Sequence, residues 1–315
     1  MKGIKIHFLV DNQTAGPLKC EHGLSMLIET EEATILCDMG ASDIFLHNAE
    51  QMGIDLEKID FAFISHGHSD HTGGLRPLLN SFPDKIIYAS RTIFNEYYFS
   101  GRRGYWRAMS TDHSLLKEYP NNFSLIEEPT EEGQPQGKWI TPSIAIVSNS
   151  CHKWSRPYGN IYLTRQPAVN GLNHLIADPA HLLPDSFLHE LSLALLTPKG
   201  LVIISSCSHC GAINIMESCL KFTGQQKIHA FIGGLHFIDS PQVAEEVETF
   251  AEELETFATE LHKTFDTSNN GASTTYAPSL PKIITGHCTS NPAKELLSKK
   301  ISGIEFFYTG AIIEL

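Results

Sequence analysis

Apolar positions along this chain fall into short β-branched runs closed by small or polar residues, and these runs alternate with stretches of helical spacing. Gly3 to Val10, Leu24 to Thr30 and Ala33 to Cys37 read as three strands separated by polar turns, which predicts an antiparallel opening to a sheet. Asp43 to about Gln51 reads as a helix that Ser42 can cap and Gly53 stops. The run Ile59 to Ile64 predicts a buried strand, followed by a helix from about Thr72 to Ser81 and a short strand from Lys85 to Ala89. Regular pattern returns at Leu191 to Thr197 and Leu201 to Ser206, two strands around a Pro198-Lys199-Gly200 turn, then a helix from Ile213 to Phe222 and a strand from Lys227 to Ile232. Ser240 and Pro241 open a long helix in which Val243, Val247, Phe250, Leu254, Phe257 and Leu261 form one apolar stripe, the spacing of packing against a sheet. Lys282 to Thr285 predicts a last buried strand, followed by a helix and a hairpin-like pair, Glu305 to Tyr308 and Ala311 to Glu314.

Between about 91 and 190 the pattern loosens, with strands expected only at Ser143 to Ser148 and Ile161 to Arg165. The segment RTIFNEYYFSGRRGYWRAMS concentrates arginine and aromatic residues, so Arg102, Arg103 and Arg107 are candidates for holding an anionic, ring-containing small molecule, the alternative being a surface excursion with solvated arginines. Asp266 to Pro281 is poor in apolar residues and predicts a loop. Cys151-His152 and Asn173-His174 lie in irregular stretches and are not expected as ligands, since lone loop histidines are usually solvated.

The chemistry gathers at one strand end. Ser65-His66-Gly67-His68-Ser69-Asp70-His71 places three histidines and an aspartate within six residues, and small neighbours permit a tight turn. Neutral imidazole and ionised carboxylate are the usual nitrogen and oxygen ligands of zinc and related divalent ions. His66 and His68 can aim at one ion, and Asp70 and His71 at a second beside it. The same pattern of a β-run closing on a histidine, with helix behind it, recurs at His209, His236 and His287. Ligands of α/β proteins collect outside the carboxyl ends of strands, so these histidines are candidates for one edge.

The 315 residues are 42% hydrophobic and carry a formal net charge of −13, which argues against nucleic acid or an anionic membrane as partner. The N-terminal run reads as a strand and not a signal peptide, no stretch is long enough to cross a bilayer, and seven scattered cysteines fit reduced thiols; a soluble, cytoplasmic protein is expected.

The signature His66-x-His68-x-Asp70-His71, with Asp38-x-Gly40 upstream and Gly286-His287 downstream, resembles the metallo-β-lactamase superfamily over nearly the whole chain. CEHGLSMLIET, SHGHSDHTGGL, ISSCSHCGAIN, IGGLHF and TGHCTS together are similar to its dihydropterin ribofuranosylaminobenzene 5′-phosphate synthase-like subfamily. The resemblance implies an α/β fold, a four-layer αββα sandwich with two mixed sheets. It is expected to form a single domain over 1–315, with a substrate-cap insertion at about 91–190. It also implies two divalent metal ions, zinc in the first place, with manganese or iron as alternatives. His66 and His68 would bind the first ion, Asp70 and His71 the second, and His287 would complete the second. Where many members have a bridging aspartate this chain has Cys207. Two completions stay open: His209 as third ligand of the first ion with no carboxylate bridge, or His189 as that third ligand with Cys207 near the second ion. Asp38, by resemblance, fixes the motif loop through hydrogen bonds.

Two cations about 3.5–4 Å apart make hydroxide available near neutral pH and clamp phosphoryl or carbonyl oxygens. The resulting expectation is a metal-dependent hydrolase of a phosphoester or other anionic substrate, with Asp70 orienting the nucleophile and His236 a candidate general acid. Two alternatives stand beside it. One is a synthase condensing a pterin alcohol with an aminobenzene ribotide, and the other is a non-catalytic metal-binding or redox module built on Cys207-x-x-Cys210.

Overall fold

The computed structural model describes residues 3–128, 133–169, 175–268 and 280–315. The chain divides into two compact units, one made of Met1–Glu128, Gly159–Leu191 and Phe307–Leu315, the other of Pro129–Tyr158 and Ser192–Phe306.

In the first unit a seven-stranded sheet has the order Ile312–Glu314, Lys5–Val10, Ser25–Glu29, Thr34–Cys37, Phe61–Phe63, Ile87–Ser90, Phe123–Ile126. Its opening strands are antiparallel, as the alternation of strand and short turn predicts, and the strands from Thr34–Cys37 onward are parallel. Phe61–Phe63 lies between two parallel neighbours and is buried on both faces, which is why its sequence is continuously apolar. Leu36, Ala62, Ile64 and Ile87 pack with Phe45, Leu75, Leu78 and Leu79 from the helices. Each fully buried Leu, Ile or Phe contributes about 1.5–3 kcal/mol.

Four details differ from the sequence pattern. The helix expected over 72–81 is two, Ser69–Thr72 and Leu75–Ser81. The break falls where the 39–41 turn crosses: the Gly73 N–H donates to the Gly40 carbonyl, and a Cβ on Gly73 would lie 2.2 Å from the Ala41 carbonyl oxygen. The terminal pair is no hairpin, because Glu305–Phe306 pairs in parallel with Lys282–Thr285 while Ile312–Glu314 pairs with Lys5–Val10. The loosely patterned zone holds a four-stranded sheet in the first unit, Leu183–Pro184, Leu163–Pro167, Glu96–Ser100 and Arg107–Ala108. The long helix runs from Val243 to Ser268, into the stretch expected as loop. The rest of that predicted loop, 269–279, and His174 lie outside the described residues.

The second unit is built on a sheet of order Glu305–Phe306, Lys282–Thr285, Ile228–Ile232, Gly200–Ile204, Leu191–Thr197, Ile144–Ser148, Gly137–Trp139. Gly200–Ile204, Ile228–Ile232 and Lys282–Thr285 run parallel, so their carboxyl ends share one edge. Helices Ala212–Thr223, Val243–Ser268 and Asn291–Lys300 follow these three strands in turn.

Asn48, fully buried in helix Ile44–Gln51, donates from Nδ2 to the Leu9 and Lys19 carbonyls and accepts the Lys19 N–H on Oδ1. Asn48→Ala strands these backbone groups. The variant is expected to lose about 2–3 kcal/mol of stability in urea unfolding, against under about 0.5 kcal/mol for exposed Glu50→Ala.

Candidate metal centre

In the first unit the loop after Phe61–Phe63 is fixed from three sides. Gly67 offers its carbonyl to the Thr111 N–H and Oγ1, both at 3.1 Å, and the Ser69 N–H donates to the Met109 carbonyl at 2.7 Å. The Leu191 N–H donates to the Ser65 carbonyl at 2.7 Å. Position 67 has to be glycine, because a Cβ there would meet the Tyr98 ring at 2.6 Å.

Asp38 holds the loop from below. It is fully buried and sits in the left-handed region, φ 56°, where a non-glycine residue is strained. Its Oδ1 accepts the Ser65 N–H at 2.8 Å, and its Oδ2 faces the Ser65 hydroxyl at 2.7 Å and His71 Nδ1 at 2.8 Å. These are the loop-fixing hydrogen bonds that the resemblance implied for Asp38.

His66 and His71 each have one ring nitrogen committed to an oxygen, and His68 has one facing a carboxylate at ion-pair distance. His66 Nδ1 lies 2.8 Å from the Ser65 hydroxyl, His71 Nδ1 is on Asp38, and His68 Nε2 is 3.5 Å from Asp185 Oδ2. Such oxygens set ring orientation and tautomer, so they select Nε2 of His66 and His71, and Nδ1 of His68, as the atoms offered to a metal. The rings are packed together, His66 to His68 at 4.5 Å and His66 to His71 at 4.2 Å between centroids. Asp70 lies towards the rim, 15% exposed, with Oδ2 3.5 Å from His71 Nε2 and 3.5 Å from His22 Nε2.

Burial, reinforced by the neighbouring histidines, holds the His66 ring well below its ordinary pKa; burial also lowers His68, against the pull of Asp185. Both therefore stand in the neutral form that ligates metals. Burial opposes a charge on His71 too, but Asp70 and Asp38 outweigh it and push the ring up to about 10. Two carboxylates around one imidazole call for a cation, and neutral imidazoles beside them supply the nitrogen donors. The donor set thus fits a divalent ion of borderline softness.

Sequence reasoning missed Asp185. It is buried, and although burial raises a carboxyl, His189 and then His68 hold it well below the usual carboxylate range. Its signal was its place four residues before His189 in PDSFLHE. His189 itself accepts the Gly67 N–H on Nδ1 at 3.1 Å and faces both Asp185 oxygens with Nε2 at 3.2 and 3.3 Å. Both its nitrogens are engaged within the unit. His22, with Nε2 3.5 Å from Asp70 Oδ2, is the other contact the sequence did not suggest.

Arg102, Arg103 and Arg107 are exposed beside exposed Tyr105 and Trp106, and no carboxylate pairs with any of the three among the described residues. Arg107 begins a short strand that leads straight into Met109, Ser110 and Thr111, the segment bonded to the histidine loop. Arg91 differs, pairing with Glu127 at 2.7 Å.

In the second unit His209, His236 and His287 stand just beyond the carboxyl ends of the three parallel strands. The His209 and His236 rings are 4.2 Å apart. Ligand-type atoms of Cys207, His209 and His236 lie within 4.8 Å of one another, and so do those of Cys207, His287 and Cys288. His236 and His287 take left-handed backbones, φ 52° and 48°, and the His236 N–H donates to Cys288 Sγ at 3.2 Å. Nδ1 of His236 is buried with no hydrogen-bond partner. All seven cysteines are free thiols.

This fold and donor set define a class, and the comparisons agree. The profile described as the metallo-beta-lactamase superfamily matches residues 18–150, and the chain has the metallo-beta-lactamase fold. Among individual proteins, it is 26% identical over 99% of its length to the 7,8-dihydropterin-6-methyl-4-(beta-D-ribofuranosyl)-aminobenzene-5′-phosphate synthase of Methanocaldococcus jannaschii, covering 96% of that protein. A crystal structure described as a metal-dependent hydrolase of the beta-lactamase superfamily superposes with a TM-score of 0.73 at 25% identity, covering 99% of both chains. The metallo-beta-lactamase fold protein YhfI from Bacillus subtilis shares the fold at a TM-score of 0.52 and 12% identity, covering 100% of both chains.

Asp185→Asn removes the charge behind His68 while preserving shape. It is expected to weaken zinc affinity roughly 10–100-fold in a chelator-competition titration; unchanged affinity would separate Asp185 from the site.

Proposed function

We propose that the protein is a metal-dependent hydrolase acting on a phosphoester or a similar anionic, ring-containing small molecule. The observation that carries this reading is the set of three buried imidazoles on one strand-end loop, each oriented through its second nitrogen by Ser65, Asp185 or Asp38. His66, His68, Asp70 and His71 are the proposed ligands from the first unit. His209 and His287 are proposed as ligands by resemblance. His189, with both nitrogens occupied, positions the loop and Asp185. Bound divalent ions at such donors lower the pKa of water and polarise a phosphoryl or carbonyl oxygen.

The chain's own residues do the rest. Asp38 and Ser65 keep the loop rigid, so the ligands need no rearrangement before reaction. Asp70, at the rim, is placed to orient the attacking water and receive its proton. His236 is the proposed proton donor to the leaving group. The unpaired guanidiniums of Arg102, Arg103 and Arg107 recognise the substrate's negative charge, for which arginine's fork of donors is suited. A cytoplasmic location completes the proposal; among the described residues no helix is long and apolar enough to cross a membrane.

A second reading is a synthase, favoured by the similarity to the archaeal protein bearing that name over 99% of this chain. Incubating purified protein with a hydroxymethyl dihydropterin diphosphate and an aminobenzene ribotide separates the two, because condensation releases diphosphate and hydrolysis of a phosphodiester does not.

For the hydrolase, turnover of bis(p-nitrophenyl) phosphate is expected to fall more than about 100-fold in His68→Ala and after chelation, returning with zinc or manganese only in the wild type. Wild-type rates in chelated His68→Ala would overturn the reading. Arg102→Ala/Arg103→Ala is expected to raise KM for an anionic diester at least roughly tenfold with kcat nearly kept, through the loss of charge-assisted contact with the anion.

A further inference from the structure

Two thiols of the second unit stand beside its strand-end histidines, Cys207 just before His209 and Cys288 next to His287, and the chemistry proposed above uses neither. Cys207 follows strand Gly200–Ile204 and Cys288 follows Lys282–Thr285, with Ile228–Ile232 between them in the sheet. Ligand-type atoms of Cys207, His287 and Cys288 lie within 4.8 Å of one another, so the two sulfurs are that close.

The corner after the middle strand makes this approach possible. A Cβ on Gly234 would lie 2.4 Å from Cys288 Sγ and 2.8 Å from the Ser206 carbonyl oxygen, so a side chain there would push the two segments apart. Backbone on both sides is tied to the same corner. The Gly234 N–H donates to the Ser206 carbonyl at 2.9 Å, the Ser208 hydroxyl to the Gly234 carbonyl at 2.6 Å, and the Leu235 N–H to the Thr289 hydroxyl at 3.0 Å. Cys288 Sγ accepts the His236 N–H at 3.2 Å and donates to the Cys207 carbonyl at 3.6 Å. Sulfur is a weak donor and acceptor, so this side chain can turn towards Cys207 at small cost while the backbone stays fixed. Exposure gives the two thiols different parts: Cys288 is half-buried and partly open to solvent, whereas Cys207 is 3% exposed.

We propose that Cys288 is a site of reversible oxidation by a hydroperoxide, with Cys207 as the thiol that closes the disulfide. The Cys288 sulfur attacks the peroxide; an S–O bond forms as the O–O bond breaks, and the thiol proton leaves with the departing oxygen as water. The Cys207 sulfur then attacks the Cys288 sulfur; the S–S bond forms as the S–O bond breaks, and the sulfenic oxygen leaves with the Cys207 proton as a second water. The thiol pair loses two electrons and the peroxide gains them. In a reducing compartment such a bridge is transient and regulatory. It ties the segment carrying His209 to the segment carrying His287. As a switch on catalysis the pair rests on the function proposed above, where these histidines are ligands; as an oxidation site it rests on the two sulfurs.

The test treats the full-length, as-purified protein with hydrogen peroxide, blocks remaining thiols with iodoacetamide and maps unreduced peptides by mass spectrometry. Peptides holding Cys207 and Cys288 are expected to be joined, and to separate after dithiothreitol. In Cys207→Ser, dimedone capture of sulfenic acid at Cys288 should rise at least about tenfold over wild type, because nothing closes the bridge. Cys288→Ser should lose the bridge and leave Cys207 unlabelled, while Cys20→Ser, at an exposed thiol, keeps it. Should a variant fail to fold, the wild-type map decides. Recovery of Cys207 and Cys288 as thiols at peroxide levels that oxidise Cys20, or bridges from either to a different cysteine, overturns the proposal. Diester turnover in bridged protein is expected to fall at least about tenfold and to return with dithiothreitol; an undiminished rate overturns the switch. A bridge in protein that hydrolyses no diester keeps the oxidation site and loses the hydrolase, and turnover in protein that forms no bridge does the reverse.

Discussion

The candidate site depends on a buried carboxylate, Asp38, held in a strained left-handed backbone at the end of a central strand. Buried charge is tolerated only where hydrogen bonds surround it, and Asp38 has the Ser65 amide, the Ser65 hydroxyl and His71 Nδ1. Those contacts join two parallel strands at the point where both leave the sheet. They also settle the aim of His71 directly and of His66 through the Ser65 hydroxyl. The fold's parallel strands thus become a means of placing imidazoles, and the strain at position 38 is offset by the contacts it makes possible.

Electrostatics divides the loop in two. His66 and His68 lie where burial suppresses charge, whereas His71 lies where Asp38 and Asp70 demand it. Neutral nitrogen donors next to a concentration of negative charge form a setting in which a divalent cation is favoured over a proton, provided the ligands are already oriented. Asp185 plays the matching part behind His68, kept ionised by His189, which in turn braces the Gly67 amide. Two carboxylates from distant positions therefore back the same short loop.

The histidine loop itself was legible because its residues are contiguous: chemistry and turn-forming neighbours occur within one heptapeptide. The same holds for the strand-end histidines at 209, 236 and 287, where a β-branched run announces the strand and the histidine closes it. Asp185 was not legible, since its meaning comes from contact with His68, a partner far away in sequence, and an acid in a Pro-Asp-Ser turn usually faces solvent. The terminal strands misled for a related reason. Two short runs flanking a Thr-Gly turn suggest a hairpin, but the edges of two different sheets compete for them and win. The split of the 72–81 helix depends on the backbone of the 39–41 turn crossing at Gly73, a long-range approach that helical periodicity does not record.

The central claim is that His66 and His68, oriented by Ser65 and Asp185, bind a metal ion through imidazole nitrogen. X-ray absorption at the metal edge of protein purified without added metal tests this most directly, comparing wild type with a His66→Gln/His68→Gln variant. The account predicts nitrogen scatterers at about 2.0–2.1 Å, with the outer-ring signature of imidazole falling by two ligands in the variant. A wild-type spectrum without imidazole, or one that the double substitution leaves unchanged, would contradict it.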